Sequence, residues 1–89
     1  MIKNDISIIN KLGLHARAAA KLVTTAGQFS SEVQLSNNSQ QANAKSIMGV
    51  MMLAAAQGTV LTLRIDGDDE QEAFDAITAL INDRFGEGE

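Results

Sequence analysis

The spacing of apolar residues changes from one short segment of this chain to the next, and no other feature limits its fold so strongly. Side chains on a strand alternate between faces, whereas one face of a helix collects residues three and four apart. Ile6 and Ile8 alternate with Asp5 and Ser7, which predicts a first strand over about 3–9. Gly13 then breaks the chain in a short loop. From 16 to 29, Ala19, Leu22, Val23, Ala26 and Phe29 recur at helical spacing and leave Arg17, Lys21, Thr24 and Gln28 largely on the other face. That pattern predicts an amphipathic helix with Gly27 near its C-terminal end.

Residues 32–36 alternate again, Asn37-Asn38-Ser39 supplies turn residues, and a weaker strand over 40–43 completes a hairpin. Ser46 suits the N-cap of a short helix over 47–53, and Gly58 marks the exit from that region. Leu61, Leu63 and Ile65 then alternate with Thr62, Arg64 and Asp66 in the clearest strand of the chain. Gly67-Asp68-Asp69 offers a turn with an N-cap candidate, followed by a last helix whose apolar stripe is Ala73, Phe74, Ile77, Leu80, Ile81 and Phe85. Asp69, Glu70 and Glu72 sit where negative charge favours the start of that helix. The order βαββαβα, with helices apolar on one side only, predicts an α+β layer structure: helices on one face of a sheet and water on the other.

With 89 residues the chain suits a single domain over 1–89, and 45% apolar against 20% charged residues is the composition of a folded protein. It has no cysteine, so disulfides, thiolate metal sites and thiol nucleophiles are excluded, which is compatible with a cytoplasmic location. Polar Asn4, Asp5 and Ser7 interrupt any signal-like stretch, and the longest run without polar side chains, 47–56, is ten residues. A membrane span needs ~20. Net charge is −4, yet residues 1–45 hold five basic and two acidic side chains and 46–89 two basic and nine acidic. An acidic chain without Trp or Tyr is a poor nucleic-acid binder, and the basic half reads better as local to a site.

The one histidine, His15, stands immediately before the predicted helix in Gly13-Leu14-His15-Ala16-Arg17. Unpaired N–H groups and the helix dipole there disfavour an imidazolium, which predicts a neutral, nucleophilic ring. Once phosphorylated, the same environment suits an anion: the N–H groups of Ala16 and Arg17 can face phosphoryl oxygens, and the Arg17 guanidinium can add charge-assisted bonds. The plain alternative is that His15 only caps the helix and Arg17 is a solvated surface residue. With no second histidine and no cysteine a metal site is not expected, and without a Gly-rich loop ending in Lys-Ser/Thr the chain does not read as a kinase.

The segment Asn10-Lys11-Leu12-Gly13-Leu14-His15-Ala16-Arg17 resembles the active-site signature of HPr-type phosphocarriers, and Lys45-Ser46-Ile47-Met48-Gly49-Val50-Met51 resembles that family's second motif. The resemblance covers nearly the whole chain in length and element order. It implies an HPr-like open-faced sandwich, four antiparallel strands covered on one face by three helices. It also implies phosphorylation of His15 on Nδ1 by a phosphoenolpyruvate-dependent Enzyme I, donation to a downstream EIIA-type protein, stabilisation of the phosphoryl group by Arg17, and no cofactor. One departure is Ala18, where most members have proline; alanine is a strong helix former, so the helix start is expected to survive.

The motif through Lys21, the stretch 51–56 and the tail Gly86-Glu87-Gly88-Glu89 are most similar to the nitrogen-related branch, NPr, which is thought to regulate rather than import sugar; sugar-system members share the core motifs. Two other readings remain. One is a regulatory module of the same fold that carries no phosphate, disfavoured by the presence of both His15 and Arg17. The other is an acyl carrier modified on Ser46, disfavoured by a missing Asp-Ser-Leu context and by the strands. Ser46 itself is either a simple N-cap or a site for an HPr serine kinase. In the short helix Val50 and Leu53 are expected in the core, leaving Ile47, Met48 and Met51 partly exposed beside His15 as a docking patch, with all three buried as the alternative. Ala20, Lys21, Thr24 and Lys45 complete the expected docking surface, and Lys11, Arg17, Lys21 and Lys45 an expected basic rim. A monomer is expected.

Overall fold

The structure, a computed structural model, describes residues 1–88, so Glu89 of the acidic tail lies outside the described residues. Strand β4 (Val60–Asp66), the most regular in the sequence, pairs on one side with β1 (Ile2–Ser7) and on the other with β2 (Glu32–Ser36), which in turn pairs with β3 (Gln41–Asn43). All pairings are antiparallel, and the sheet order is β1-β4-β2-β3. The register sets Leu61 opposite Ile6, Leu63 opposite Leu35 and Ile65 opposite Val33. Directly opposed residues share a face, so these side chains form one apolar surface. Asp5 opposite Thr62 and Gln34 opposite Arg64 lie on the other, wet face.

Helices α1 (Ala16–Ala26), α2 (Ile47–Met52) and α3 (Glu70–Asn82) cover the apolar face. Ala18, Ala19, Leu22 and Ala26 of α1, Val50 of α2 and Ala73, Ile77 and Ile81 of α3 are buried. The many alanines let α1 approach closely, and each large side chain such as Leu22 or Ile77 contributes on the order of 1.5–3 kcal/mol on burial. This is the α+β open-faced sandwich that the periodicity and the family resemblance predict.

Element ends differ from expectation where tertiary contacts win. The first strand stops at Ser7, yet Ile8 stays in the core, its N–H donating to the Thr59 carbonyl at 2.9 Å and its carbonyl accepting from Gly58 at 2.7 Å. Helix α1 ends at Ala26 rather than Phe29, unwinding through turn bonds from Gln28 to Thr25 and from Phe29 to Ala26, both 3.2 Å. The last helix ends at Asn82, and Phe85 belongs instead to a separate short turn, Arg84–Gly86. Arg84 and Phe85 take left-handed φ values of 54° and 55°, and Phe85 is completely buried. Two left-handed residues cost roughly 1–2 kcal/mol each, which is offset by a buried Phe whose removal costs about 3–5 kcal/mol.

Asp69 occupies the N-cap position of α3 but makes no side-chain bond to that helix, contrary to expectation. Its carboxylate instead accepts from the backbone N–H groups of Ser30 (2.8 Å) and Ser31 (2.9 Å) and from the Ser31 hydroxyl. It therefore ties the α1–β2 connection to the start of α3. The Ser31 hydroxyl foremost, then the Ser30 N–H, pull the Asp69 carboxyl from its ordinary 3.8 down to about 2. Ser46 does cap α2 as expected, accepting from the Gly49 N–H at 3.2 Å.

Two outcomes follow from these contacts. A carboxyl whose folded value is depressed adds stability above its unfolded value and loses it as pH falls through the folded one. Asp69→Asn should therefore lower Tm at neutral pH and flatten the Tm–pH curve between about 4 and about 2, the window set by its two values; thermal melts across that range measure it. Ser46→Ala should lower the urea-unfolding free energy by about 0.5–2 kcal/mol, the usual worth of a Ser cap.

Candidate functional site

The loop that delivers His15 is fixed at Gly13, whose φ is +71°. A Cβ there would lie 2.4 Å from the Ala55 carbonyl oxygen and 2.9 Å from the Ala56 Cα, so only glycine lets the loop sit against the chain leaving α2. The N–H of Leu14 donates to that same Ala55 carbonyl at 2.8 Å, and the Leu14 side chain is buried. These contacts seat His15 at the N-cap of α1, with extended backbone (φ −77°, ψ 179°) and its carbonyl accepting from Ala19 at 2.8 Å. The imidazole makes no capping bond. The N–H groups of Ala16 and Arg17, in the first turn, have no acceptor within the helix. Ala18 is fully buried there and α1 starts at Ala16, so the helix forms without a first-turn proline.

The His15 side chain is 27% exposed, enough for approach from solvent. Its Nε2 meets the Glu87 carboxylate, 72 positions along the chain. The other Glu87 oxygen accepts from Asn10 Nδ2 at 3.0 Å, and the same amide nitrogen donates to the Gly13 carbonyl at 2.8 Å. Asn10 is fully buried, and its Oδ1 is the one buried side-chain polar atom without a partner among the described residues. The Asn10 amide first, then the His15 ring, hold the Glu87 carboxyl below the usual range through hydrogen bonds, with the Arg17 charge acting the same way. Glu87 reaches this position because buried Phe85 anchors the turn before it and Lys21 Nζ donates to the Phe85 carbonyl at 2.6 Å.

The other expected site residues divide into two surfaces. Arg17, Ala20, Lys21 and Thr24 line a shallow groove with Thr25 and Leu80. On α2, Ile47, Met48 and Met51 are exposed while Val50 and, just past the helix end, Leu53 are buried, as expected. Met48 reaches 72% exposure, which rules out the all-core alternative. Met52 (65%) and Leu12 (67%) enlarge the exposed apolar surface beyond what the sequence singled out. The basic rim differs from expectation in one respect. Lys21 and Lys45 do not project as unattached ammonium groups: Lys45 Nζ donates to the Phe29 carbonyl at 2.7 Å, as Lys21 does to Phe85. Among the described residues, no three His, Asp or Glu side chains are grouped as metal ligands would be. Asn10 and Glu87 were not singled out as site residues from sequence. Their only signals were a polar residue in the signature segment and an acid flanked by glycines just after an apolar anchor.

The comparisons agree with this geometry. Residues 2–83 match the PTS-HPr family, described as the PTS HPr component phosphorylation site. The chain is 64% identical to a phosphocarrier protein HPr from Cupriavidus necator, over the full length of both, and 41% identical to a phosphocarrier protein NPr from Shewanella violacea, covering 97% of this chain and 94% of that one. The crystal structure of an HPr from Thermoanaerobacter tengcongensis superposes with a TM-score of 0.94 at 49% identity, covering 98% of each chain. A four-stranded sheet also removes the acyl-carrier reading, which needs a helix bundle. Sequence match, architecture and the placement of His15 at the head of α1 together make this chain a member of the HPr family of phosphocarrier proteins of the phosphotransferase system.

Proposed function

We propose that His15 accepts a phosphoryl group on Nδ1 from a phosphoenolpyruvate-dependent Enzyme I and passes it to an EIIA-type acceptor, in the cytoplasm and as a monomer, with residues 1–89 acting as one domain. The observation that carries this reading is a partly exposed imidazole at the N-cap of an eleven-residue helix, unused for capping, beside first-turn N–H groups that have no acceptor within the helix. Donors and a helix dipole aimed at an incoming anion are what a phosphoryl group requires. Arg17 is exposed beside His15 and supplies the balancing charge. Ser46 enters as the cap of α2, with phosphorylation of the same hydroxyl by an HPr serine kinase as the alternative.

Partner docking falls to the groove of Arg17, Ala20, Lys21 and Thr24 together with Ile47, Met48 and Met51 on α2, which packs beside α1. Lys45 adds positive charge at the edge of this surface. Flexible methionines suit a face that must fit a donor and then an acceptor, because thioether side chains repack at little cost. Relatives 62–64% identical carry the name HPr and a relative called NPr is 41% identical, so similarity favours the general HPr type over the nitrogen-related branch. Which EIIA-type protein takes the phosphoryl group fastest decides between sugar import and regulation.

Intact mass after incubation with phosphoenolpyruvate and Enzyme I tests the reading directly. The wild type should gain one acid-labile, alkali-stable phosphoryl group, His15→Ala should gain none while keeping its circular dichroism spectrum, and Arg17→Ala should be phosphorylated more slowly. A phosphorylated His15→Ala protein would refute the assignment. Met48→Asp should keep the native spectrum, since this side chain is exposed, and raise the KM for Enzyme I; an unchanged KM removes α2 from the docking surface.

A further inference from the structure

Phosphoryl transfer through His15, Arg17 and the head of α1 leaves one partner of the imidazole without a role. Among the described residues the ring's hydrogen-bonding partner is the Glu87 carboxylate, met through Nε2. We infer that Glu87 is a positioning residue for the transfer: its carboxylate takes the Nε2 proton in a hydrogen bond, leaves the lone pair on Nδ1, and shares the positive charge the ring gains as Nδ1 attacks phosphorus. The inference rests on the phosphocarrier reading above and adds to it the group that orients the nucleophile.

A neutral imidazole has one N–H and one lone pair, and an ionised carboxylate offers acceptors only. A ring facing a carboxylate through Nε2 therefore carries its proton on Nε2 and keeps Nδ1 nucleophilic. In the transfer step the Nδ1 lone pair forms the N–P bond, the bond from phosphorus to the donor breaks, and its electron pair leaves with the donor. The proton on Nε2 stays in place and the ring becomes cationic. A fixed anion at Nε2 is already where that charge develops, so it stabilises the transition state more than the ground state.

The placement of Glu87 is over-determined, as a positioning group requires. Buried Phe85 and the Lys21 bond to its carbonyl hold the turn before the tail, and Gly86 at φ +74° swings the chain back toward α1. Asn10, itself fully buried and pinned to the Gly13 carbonyl, then fixes the second carboxylate oxygen. The loop that carries His15 and the tail that orients it are thus joined through one amide nitrogen. The same carboxylate repels an incoming phosphoryl group, and the neighbouring Arg17 charge opposes that repulsion.

The test compares wild type, Glu87→Gln and Glu87→Ala in steady-state phosphorylation by Enzyme I and in the ring 15N and 1H NMR spectra of His15. Glu87→Gln keeps the shape of the side chain and an acceptor oxygen while removing the charge, so it separates charge from folding. The expected result is a kcat lower by on the order of tenfold in Glu87→Ala, a smaller loss in Glu87→Gln, and an unchanged KM. A downfield Nε2–H proton signal should be present in the wild type and lost in Glu87→Ala. A wild type that takes up no phosphoryl group refutes the phosphocarrier reading itself. A phosphorylated wild type whose Glu87→Ala variant keeps the same kcat, or changes only KM, overturns the role of Glu87 alone, as does an Nε2–H signal that is the same in both proteins.

Discussion

The register of β4 between β1 and β2 puts Leu61, Leu63 and Ile65 on one face, and without it the three helices have nothing to bury against. A slip of one residue on either side would turn this set to the wet face and bring Thr62 and Arg64 inward. The alternation in β4 is strict, so every slip by an odd number of residues loses that surface. β4 also fixes the molecule's width: β1 hangs on one side, and β2, carrying β3, on the other. With the apolar face set, α1 can lie close to it because Ala18, Ala19 and Ala26 present so little bulk.

That close approach decides where chemistry can happen. A helix pressed against a sheet is screened along most of its length, but its first turn ends at the edge of the layer, where N–H groups without intrahelical acceptors face solvent. The loop before it is clamped by Gly13 against Ala55, so His15 arrives at that edge in a defined pose instead of on a mobile loop. Three distant stretches of chain meet there: the loop 10–15, the exit of α2 and the tail around 85–87. Each is fixed by backbone bonds or a buried side chain, so the geometry around the ring depends on the whole core being folded.

Electrostatics repeat this theme. Two acids from the second half of the sequence are tied to its first half. Asp69 reaches back to Ser30 and Ser31, and Glu87 reaches to Asn10 and His15. Lys21 and Lys45 answer in the other direction by donating to the carbonyls of Phe85 and Phe29. Charges from opposite ends of the chain thereby become local links, and their value lies more in fixing connections than in any long-range field, which salt screens within about 10 Å.

The sequence by itself determined the local states. Alternation names β1, β2 and β4, and spacings of three and four name α1 and α3, because side-chain spacing follows directly from backbone geometry, while the Asn37-Asn38-Ser39 turn and the Ser46 cap mark β3 and α2. Ser46 as a cap and His15 at a helix head follow from the same local rules and are observed, whereas the run 47–53 is apolar nearly all round and only the structure fixes Val50 and Leu53 inside with Met48 outside. Tertiary structure alone decided the sheet order, the stop of α3 at Asn82, the left-handed turn that buries Phe85, the turning of Asp69 away from its own helix, and the meeting of Asn10 with Glu87. None of these leaves a periodic trace. Each depends on a partner from 38 to 77 positions away or on the energy of filling a cavity, and such terms exist only after the layers have come together.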